Sequence, residues 1–309
     1  MTEIANLRFP CVRPGTNYDV EFDPTTKTIW GFFNPKETPC FSLGLLADIR
    51  AHDLALAENR GVVNVAGQFH EANYYVAASK VPGIYNLGGD LSLFMLLIKT
   101  RNRSALLNYG KLCIDNIFPR ISNYFCPNLT TISLVQGDAL GGGFETALAS
   151  DVLIAEEGAT MGLPEILFNL FPGMGAYNLL ARRVGMNAAE KLILCGELFT
   201  ARKLFEMGVV DVLAPNGEGE RVTQEWIRKN AKRRNGFQAI QEAKKIIQPI
   251  SRSDLDRIVE LWVDAALRLE EKDIKMMHRL VRSQARRIQG NTDEPSVPDE
   301  NLQRIAANG

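Results

Sequence analysis

Histidine and cysteine are both scarce in this chain of 309 residues. The three histidines, His52, His70 and His278, fall in no HxH or HxxxH pattern, and Cys11, Cys40, Cys113, Cys126 and Cys195 form no CxxC pair. Those absences argue against a metal site and against a disulfide framework. Charge of one sign is lacking too. The 35 Lys and Arg nearly balance the 36 Asp and Glu, so the net charge of −1 gives no overall field to draw in nucleic acid or an anionic membrane. The longest apolar run, Leu91–Ile98 with Ser92 interrupting it, is under half of the roughly 20 residues that span a bilayer. The opening residues have neither the basic start nor the apolar stretch of a signal peptide. The expectation is a cytoplasmic, reduced chain with no metal, no nucleic-acid partner and no membrane partner.

What is present is ordinary globular material, 46% hydrophobic and 23% charged. Residues 18–33 read as a hairpin, Leu43 to Glu58 as a helix carrying Leu45, Leu46, Ile49 and Leu54, and Tyr74 to Ser79 as a buried strand. The stretch from Pro82 to Asp90 breaks regularity, and Leu91 to Phe118 is helical in two pieces. An apolar strand from Thr131, a small-residue helix from Phe144 and a strand from Asp151 follow, which predicts an α/β architecture. From Gly219 onward the pattern is helical, with Ser253 and Asp256 as a capping pair before the stripe holding Trp262. The expected organisation is an N-terminal arm (1–17), an α/β core (18–218), a C-terminal helical region (219–288) and a flexible tail (289–309).

Two glycine turns stand at strand-to-helix junctions, Leu87-Gly88-Gly89-Asp90 and Gly137 to Glu145 with Gly141-Gly142-Gly143 at its centre. Glycine lets a ligand approach main-chain N–H groups, and those at a helix start are unpaired and sit at the positive end of the dipole. Facing each other, two such turns fit an oxyanion hole for a thioester enolate; the plain alternative is that the glycines serve tight packing. Neither GxxxxGK[ST], GxGxxG nor GxSxG occurs, which demotes nucleotide enzymes and serine hydrolases. Glu145 and Glu165 both lie among apolar residues (Leu140, Phe144, Leu163, Ile166, Leu167), where a carboxyl pKa rises toward the range useful for proton transfer. Local capping or ion pairing is the alternative for each.

On LGGD (87–90), GDALGGGFE (137–145), GLPEILFNLFPGMGA (162–176) and the segment 195–215, the chain resembles the crotonase, or enoyl-CoA hydratase/isomerase, superfamily. That resemblance implies a spiral of ββα repeats with a C-terminal all-helical region, assembled as a homotrimer or hexamer. It implies Glu145 and Glu165 as the catalytic pair and the N–H groups of Gly89 and Gly142 as the oxyanion hole. Within the superfamily, SKVPGIYNLGGDLSLF (79–94), FNLFPGMGAYNLLARRVG (168–185) and the helical tail with Trp262 are similar to the diffusible signal factor (DSF) synthases of the RpfF type. Such enzymes dehydrate a 3-hydroxyacyl group on acyl carrier protein to a cis-2-enoyl thioester and hydrolyse it to a free quorum-sensing fatty acid, with no cofactor.

In that scheme Glu165 takes the α-proton and Glu145 protonates the departing hydroxyl, an order that the hydratase resemblance suggests and that could run in reverse. Leu87, Gly88, Leu140, Gly141, Phe144, Met174, Trp262 and Leu280 are the candidate substrate-binding residues; for Met174, Trp262 and Leu280 plain core is the other reading. The basic run Arg228, Lys229, Lys232, Arg233 and Arg234 is either a dock for an acidic carrier protein or a solvated helix face. Two other functions stay open: an enoyl-CoA hydratase/isomerase of fatty-acid degradation, and a non-catalytic crotonase-fold regulator that binds a sensor protein.

Overall fold

The computed structural model describes residues 17–65 and 67–290, so most of the expected arm and all but the first residues of the expected tail lie outside the described residues. A six-stranded sheet runs in the spatial order Tyr18–Asp23, Thr28–Phe33, Tyr74–Ser79, Thr130–Val135, Val152–Glu156, Val212–Ala214. The first pair is the expected antiparallel hairpin, Tyr18 opposite Phe33, and every later neighbour is parallel. Both faces of this sheet are covered, which explains why its strands read as continuous apolar runs. Tyr75, Ala77 and Val135 enter the main core, whereas Trp30, Phe32, Tyr74, Val76, Ile132 and Leu134 face a second cluster closed by Ile227 and Trp226 of the helix Gly219–Ala231.

A smaller sheet has the order Leu198–Thr200, Thr160–Gly162, Asp138–Leu140, Ile84–Asn86, and its last three strands are mutually parallel. The strand Ile84–Asn86 corrects the expectation that the whole stretch before Asp90 is irregular. A separate hairpin, Val62–Val65 with Gln68–Glu71, has no counterpart in the sequence reading.

The helix Leu43–Glu58 forms as expected, capped by Ser42, whose Oγ accepts from the Leu45 N–H at 3.2 Å. It buries Leu45, Leu46 and Ile49 but leaves Leu54 exposed, against expectation. The two pieces after Asp90 are Leu91–Lys99 and Arg103–Ile121. Four helices close the described chain: Gly219–Ala231, Arg234–Ile247, Arg252–Ala266 and Glu271–Gly290. The cap of the third is Ser251 rather than Ser253: its Oγ accepts from Asp254 N–H at 3.1 Å and donates to the Asp254 carboxylate at 2.6 Å. Ion pairs Arg103–Asp264 (2.9 Å) and Arg252–Asp115 (2.6 Å) fasten that helix to Arg103–Ile121, which brings Trp262 over the main core. Among the described residues no helix is long and apolar enough to cross a membrane.

Candidate active site

Three neighbouring parallel strands of the small sheet assemble the site. Ile84–Asn86 leads into the Gly88-Gly89 turn, Asp138–Leu140 into Gly141 and the helix Gly142–Leu148, and Thr160–Gly162 into the short 3₁₀ turn Pro164–Phe168. Because the strands are parallel and adjacent, their carboxyl ends present both glycine turns and both glutamates on one side, where ligands of open parallel sheets bind.

Around the first turn, almost every backbone donor is spoken for. Leu87 N–H donates to Pro39 O (2.8 Å), Gly88 N–H to Asn86 Oδ1 (2.8 Å) and Asp90 N–H to Tyr109 Oη (3.1 Å). Gly89 N–H has no acceptor among the described residues. It shares a planar peptide unit with Gly88 C=O, which accepts from Phe41 N–H at 2.8 Å, so the Gly89 N–H is aimed away from Phe41. The second donor, Gly142 N–H, belongs to the first residue of its helix, where no intrahelical acceptor exists. Gly141 C=O, in the same peptide unit, accepts from Glu145 N–H at 3.0 Å and fixes that direction.

The turns pack against each other so closely that a Cβ on Gly88, at φ +88°, would stand 2.6 Å from Leu140 O and 3.0 Å from Gly142 N. Gly141, at φ 51° and ψ −123°, has the backbone of the first central residue of a type II′ turn, a glycine position. A Cβ there would stand 2.5 Å from Glu165 Oε1.

Glu145 is 1% exposed on the first turn of its helix. Its Oε1 accepts from Met174 N–H (2.8 Å) and Ala176 N–H (2.9 Å), the latter opening the helix Ala176–Val184. Burial lifts its pKa from 4.5 to about 7, against the lowering effect of those two donors. Glu165 is half-buried as a residue, but its Oε2 is sealed from solvent and has no hydrogen-bond partner. Burial, then the charge of Glu145, lifts Glu165 from 4.5 to about 8. Neither carboxylate is in an ion pair among the described residues, whereas Glu145 does cap the start of the helix Ala176–Val184 through the Ala176 N–H, so for Glu145 the capping alternative holds beside the catalytic one. Two carboxyls both raised toward neutral pH by burial, one of them further by the charge of the other, can take a proton and give another in one turnover.

The expected substrate-binding residues divide in two. Phe144, Met174, Trp262 and Leu280 all sit in the main core. Met174 touches the site directly: a Cβ on Gly142 would lie 2.9 Å from its sulfur. Trp262 lies against Gly173 and stacks edge-on with Phe94 at 5.0 Å. Leu87 and Leu140 instead form a separate small cluster with Ile84, packed by Val81 and Leu198. The structure adds residues that the sequence reading lacks: Phe41 and Tyr109, and Phe94, whose ring tip fills the space beside Gly89. Phe94 lies inside the segment 79–94 and was within reach of sequence reasoning; Tyr109 has no local signal. Of the basic run, Arg228, Lys229, Lys232 and Arg233 are exposed, while Arg234 is half-buried and bonds Asn128 O.

Parallel sheets, paired strand-to-helix turns and a C-terminal helical region define an α/β protein of the crotonase fold. The model of the enoyl-CoA hydratase/isomerase family matches residues 108–287, and the chain belongs to that family. It is 30% identical over 204 residues to the probable mitochondrial enoyl-CoA hydratase 2 of Arabidopsis thaliana, covering 66% of this chain and 62% of that protein. The chain spans less than two thirds of the length of the first curated relatives it matches. Among solved structures it is similar to human mitochondrial delta3-delta2-enoyl-CoA isomerase (TM-score 0.72, 19% identity, 88% of this chain and 99% of that one). It is also similar to Pseudomonas aeruginosa DspI (TM-score 0.63, 22% identity, 77% and 90%).

Proposed function

We propose that this chain is a DSF synthase, which dehydrates a 3-hydroxyacyl thioester on acyl carrier protein to the cis-2-enoyl thioester and hydrolyses that to the free acid. The observation that carries the chemistry is the pair of desolvated carboxyls, Glu145 and Glu165, set beside the unengaged N–H groups of Gly89 and Gly142. Choice of this member of the family rests on the segments 79–94 and 168–185.

In the dehydration, the thioester oxygen lies between the two N–H groups, which stabilise the enolate charge. Glu165, ionised, takes the α-proton; the C3–O bond breaks, and the departing hydroxyl takes the proton of Glu145 to leave as water. The pair ends with Glu165 protonated and Glu145 ionised, the tautomer that the Met174 and Ala176 donors favour. Glu145 then takes a proton from a water that adds to the thioester carbonyl, and Glu165 gives its proton to the sulfur of the departing carrier thiol, which returns the pair to Glu165 ionised and Glu145 protonated. The residues work within a catalytic core of 18–218, covered by the helical region 219–288, in a cytoplasmic homotrimer or hexamer that also meets a sensor protein of the signalling system. No metal or cofactor enters any step.

One observation favours a second reading, an enoyl-CoA hydratase. With Glu145 ionised and Glu165 protonated, the resting pair is set for addition of water to an enoyl thioester, and the Arabidopsis relative carries a hydratase name. A non-catalytic regulator has less support, because it gives no reason to keep two carboxylates in surroundings this unfavourable to their charge. Incubation with 3-hydroxydodecanoyl-acyl carrier protein and, separately, crotonyl-CoA, followed by mass spectrometry, decides. Free cis-2-enoic acid is expected; 3-hydroxybutyryl-CoA as the sole product would establish the hydratase, and no product from either would leave the regulator.

A further inference from the structure

Tyr109 stands on the helix Arg103–Ile121, outside both glycine turns, and is 3% exposed. Its hydroxyl donates to Phe41 C=O at 2.6 Å and accepts from Asp90 N–H at 3.1 Å. Phe41 N–H in turn donates to Gly88 C=O at 2.8 Å. These bonds close a ring, from Phe41 through Gly88, Gly89 and Asp90 to Tyr109 and back to Phe41. Gly89 sits between two peptide planes, and each is pinned from the same direction: the Gly88–Gly89 plane by Phe41 N–H, the Gly89–Asp90 plane by the Tyr109 hydroxyl. The ring of Tyr109 stacks edge-on with Phe94 at 5.0 Å, and Phe94 packs against Gly89 itself. Burial holds the hydroxyl well above its ordinary pKa of 10, so it remains a donor across the working pH range.

From this arrangement we infer that Tyr109 is a positioning residue for the oxyanion hole: through Asp90 N–H and Phe41 C=O it sets the direction of the Gly89 N–H and therefore the strength of enolate stabilisation. The inference rests on the thioester reading of the site given above. A donor aimed at the developing oxyanion is worth about 10²–10³ in rate, and a misdirected one keeps only part of that.

The test uses the full-length protein and Tyr109→Phe, which keeps the ring and removes only the hydroxyl. Two readouts are taken: turnover on the substrates named above, and the absorbance maximum of bound para-dimethylaminocinnamoyl-pantetheine thioester, which moves to the red as its carbonyl is polarised. Wild type is expected to give a red shift. Tyr109→Phe is expected to give a smaller one, with kcat lowered about 10- to 100-fold and KM within about twofold, since the defect is in the transition state rather than in binding. An equal red shift and equal kcat in the variant overturn the positioning role while leaving the thioester site intact. No red shift in wild type overturns the thioester site and the inference with it. If Tyr109→Phe does not fold, site-specific 3-fluorotyrosine at this position keeps both bonds with a stronger donor. A red shift that differs from wild type then supports the role, and an unchanged one overturns it.

Discussion

Replacing Glu145 by Gln should make the protein less active and more stable at once, and both effects follow from one geometry. The Gln carbonyl can still accept from Met174 and Ala176 N–H at the place of Oε1, so the loop and helix start keep their bonds. What disappears is the titration. In the folded protein Glu145 titrates at about 7 against an ordinary 4.5, so the fold holds its proton more tightly than the unfolded chain does. Below an ordinary carboxyl pKa the ionised form is absent from both states and burial brings no penalty. As pH rises from about 4.5 to about 7 the unfolded chain ionises first and stability falls; above about 7 the loss is complete. That displacement corresponds to about 3 kcal/mol. Glu145→Gln should therefore match wild type in urea unfolding near about pH 4.5 and exceed it by up to about 3 kcal/mol near about pH 8. Turnover should fall about 10²–10⁴-fold, the usual contribution of a general acid or base. A variant less stable than wild type at the higher pH, or one that keeps wild-type turnover, would refute the account of this carboxylate.

The same pair predicts a narrow bell for kcat/KM. Rates should fall below about 7, where both carboxyls hold protons, and above about 8, where neither does, and a flat profile across that range would contradict it. In Gly141→Ala the new methyl meets Glu165 Oε1, which stands 2.5 Å from its position, and the II′ backbone is strained by about 1–3 kcal/mol. Turnover should drop about 10²-fold with the fold retained by circular dichroism; unchanged turnover would mean that Glu165 is not held where the chemistry needs it. Trp262→Ala should cost about 3–5 kcal/mol in thermal or urea unfolding. It should also shift the products toward longer acyl chains by mass spectrometry, whereas the same chain lengths at lower stability would mark Trp262 as core alone.

The sequence revealed the site's parts more readily than their arrangement. Leu43–Glu58 and Tyr74–Ser79 were legible because one is long, free of Gly and Pro after its first turn and buries Leu45, Leu46 and Ile49, and the other is a run buried on both faces. The strands that assemble the site, Ile84–Asn86, Asp138–Leu140 and Thr160–Gly162, have three residues each, too few for any period to show. Without them, the meeting of the two glycine turns and the two glutamates in one site was implied only by the family resemblance, and the approaches of Gly88 to Gly142 and of Gly141 to Glu165 are visible only in the folded chain. Tyr109 was invisible for a related reason: its partners lie 19 residues and 68 residues away, in segments joined only by the folded chain. The cap error has a simpler origin. Ser251-x-x-Asp254 and Ser253-x-x-Asp256 have the same spacing, and only the path of the chain after Pro249 selects the first.

The division of labour between the two glutamates is not set by them alone. Burial raises both, and the charge of Glu145 raises Glu165 further. Met174 and Ala176, which lie 29 and 31 residues beyond Glu145, add to the asymmetry because they donate to Glu145 and hold its pKa lower. Which carboxyl holds a proton at rest is therefore tuned by a loop that carries no titratable group. Each donor stabilises the ionised form of Glu145, the form from which hydration starts and in which dehydration ends. Weakening either bond brings the two tautomers closer in energy and raises the share of enzyme already protonated for dehydration. The loop also positions Met174 against Gly142, so its conformation bears on the oxyanion donor and on the proton together. Because both donors are main-chain N–H groups, a change in the path of the loop at 174–176 alters the protonation of the pair while both glutamates and both glycines stay in place.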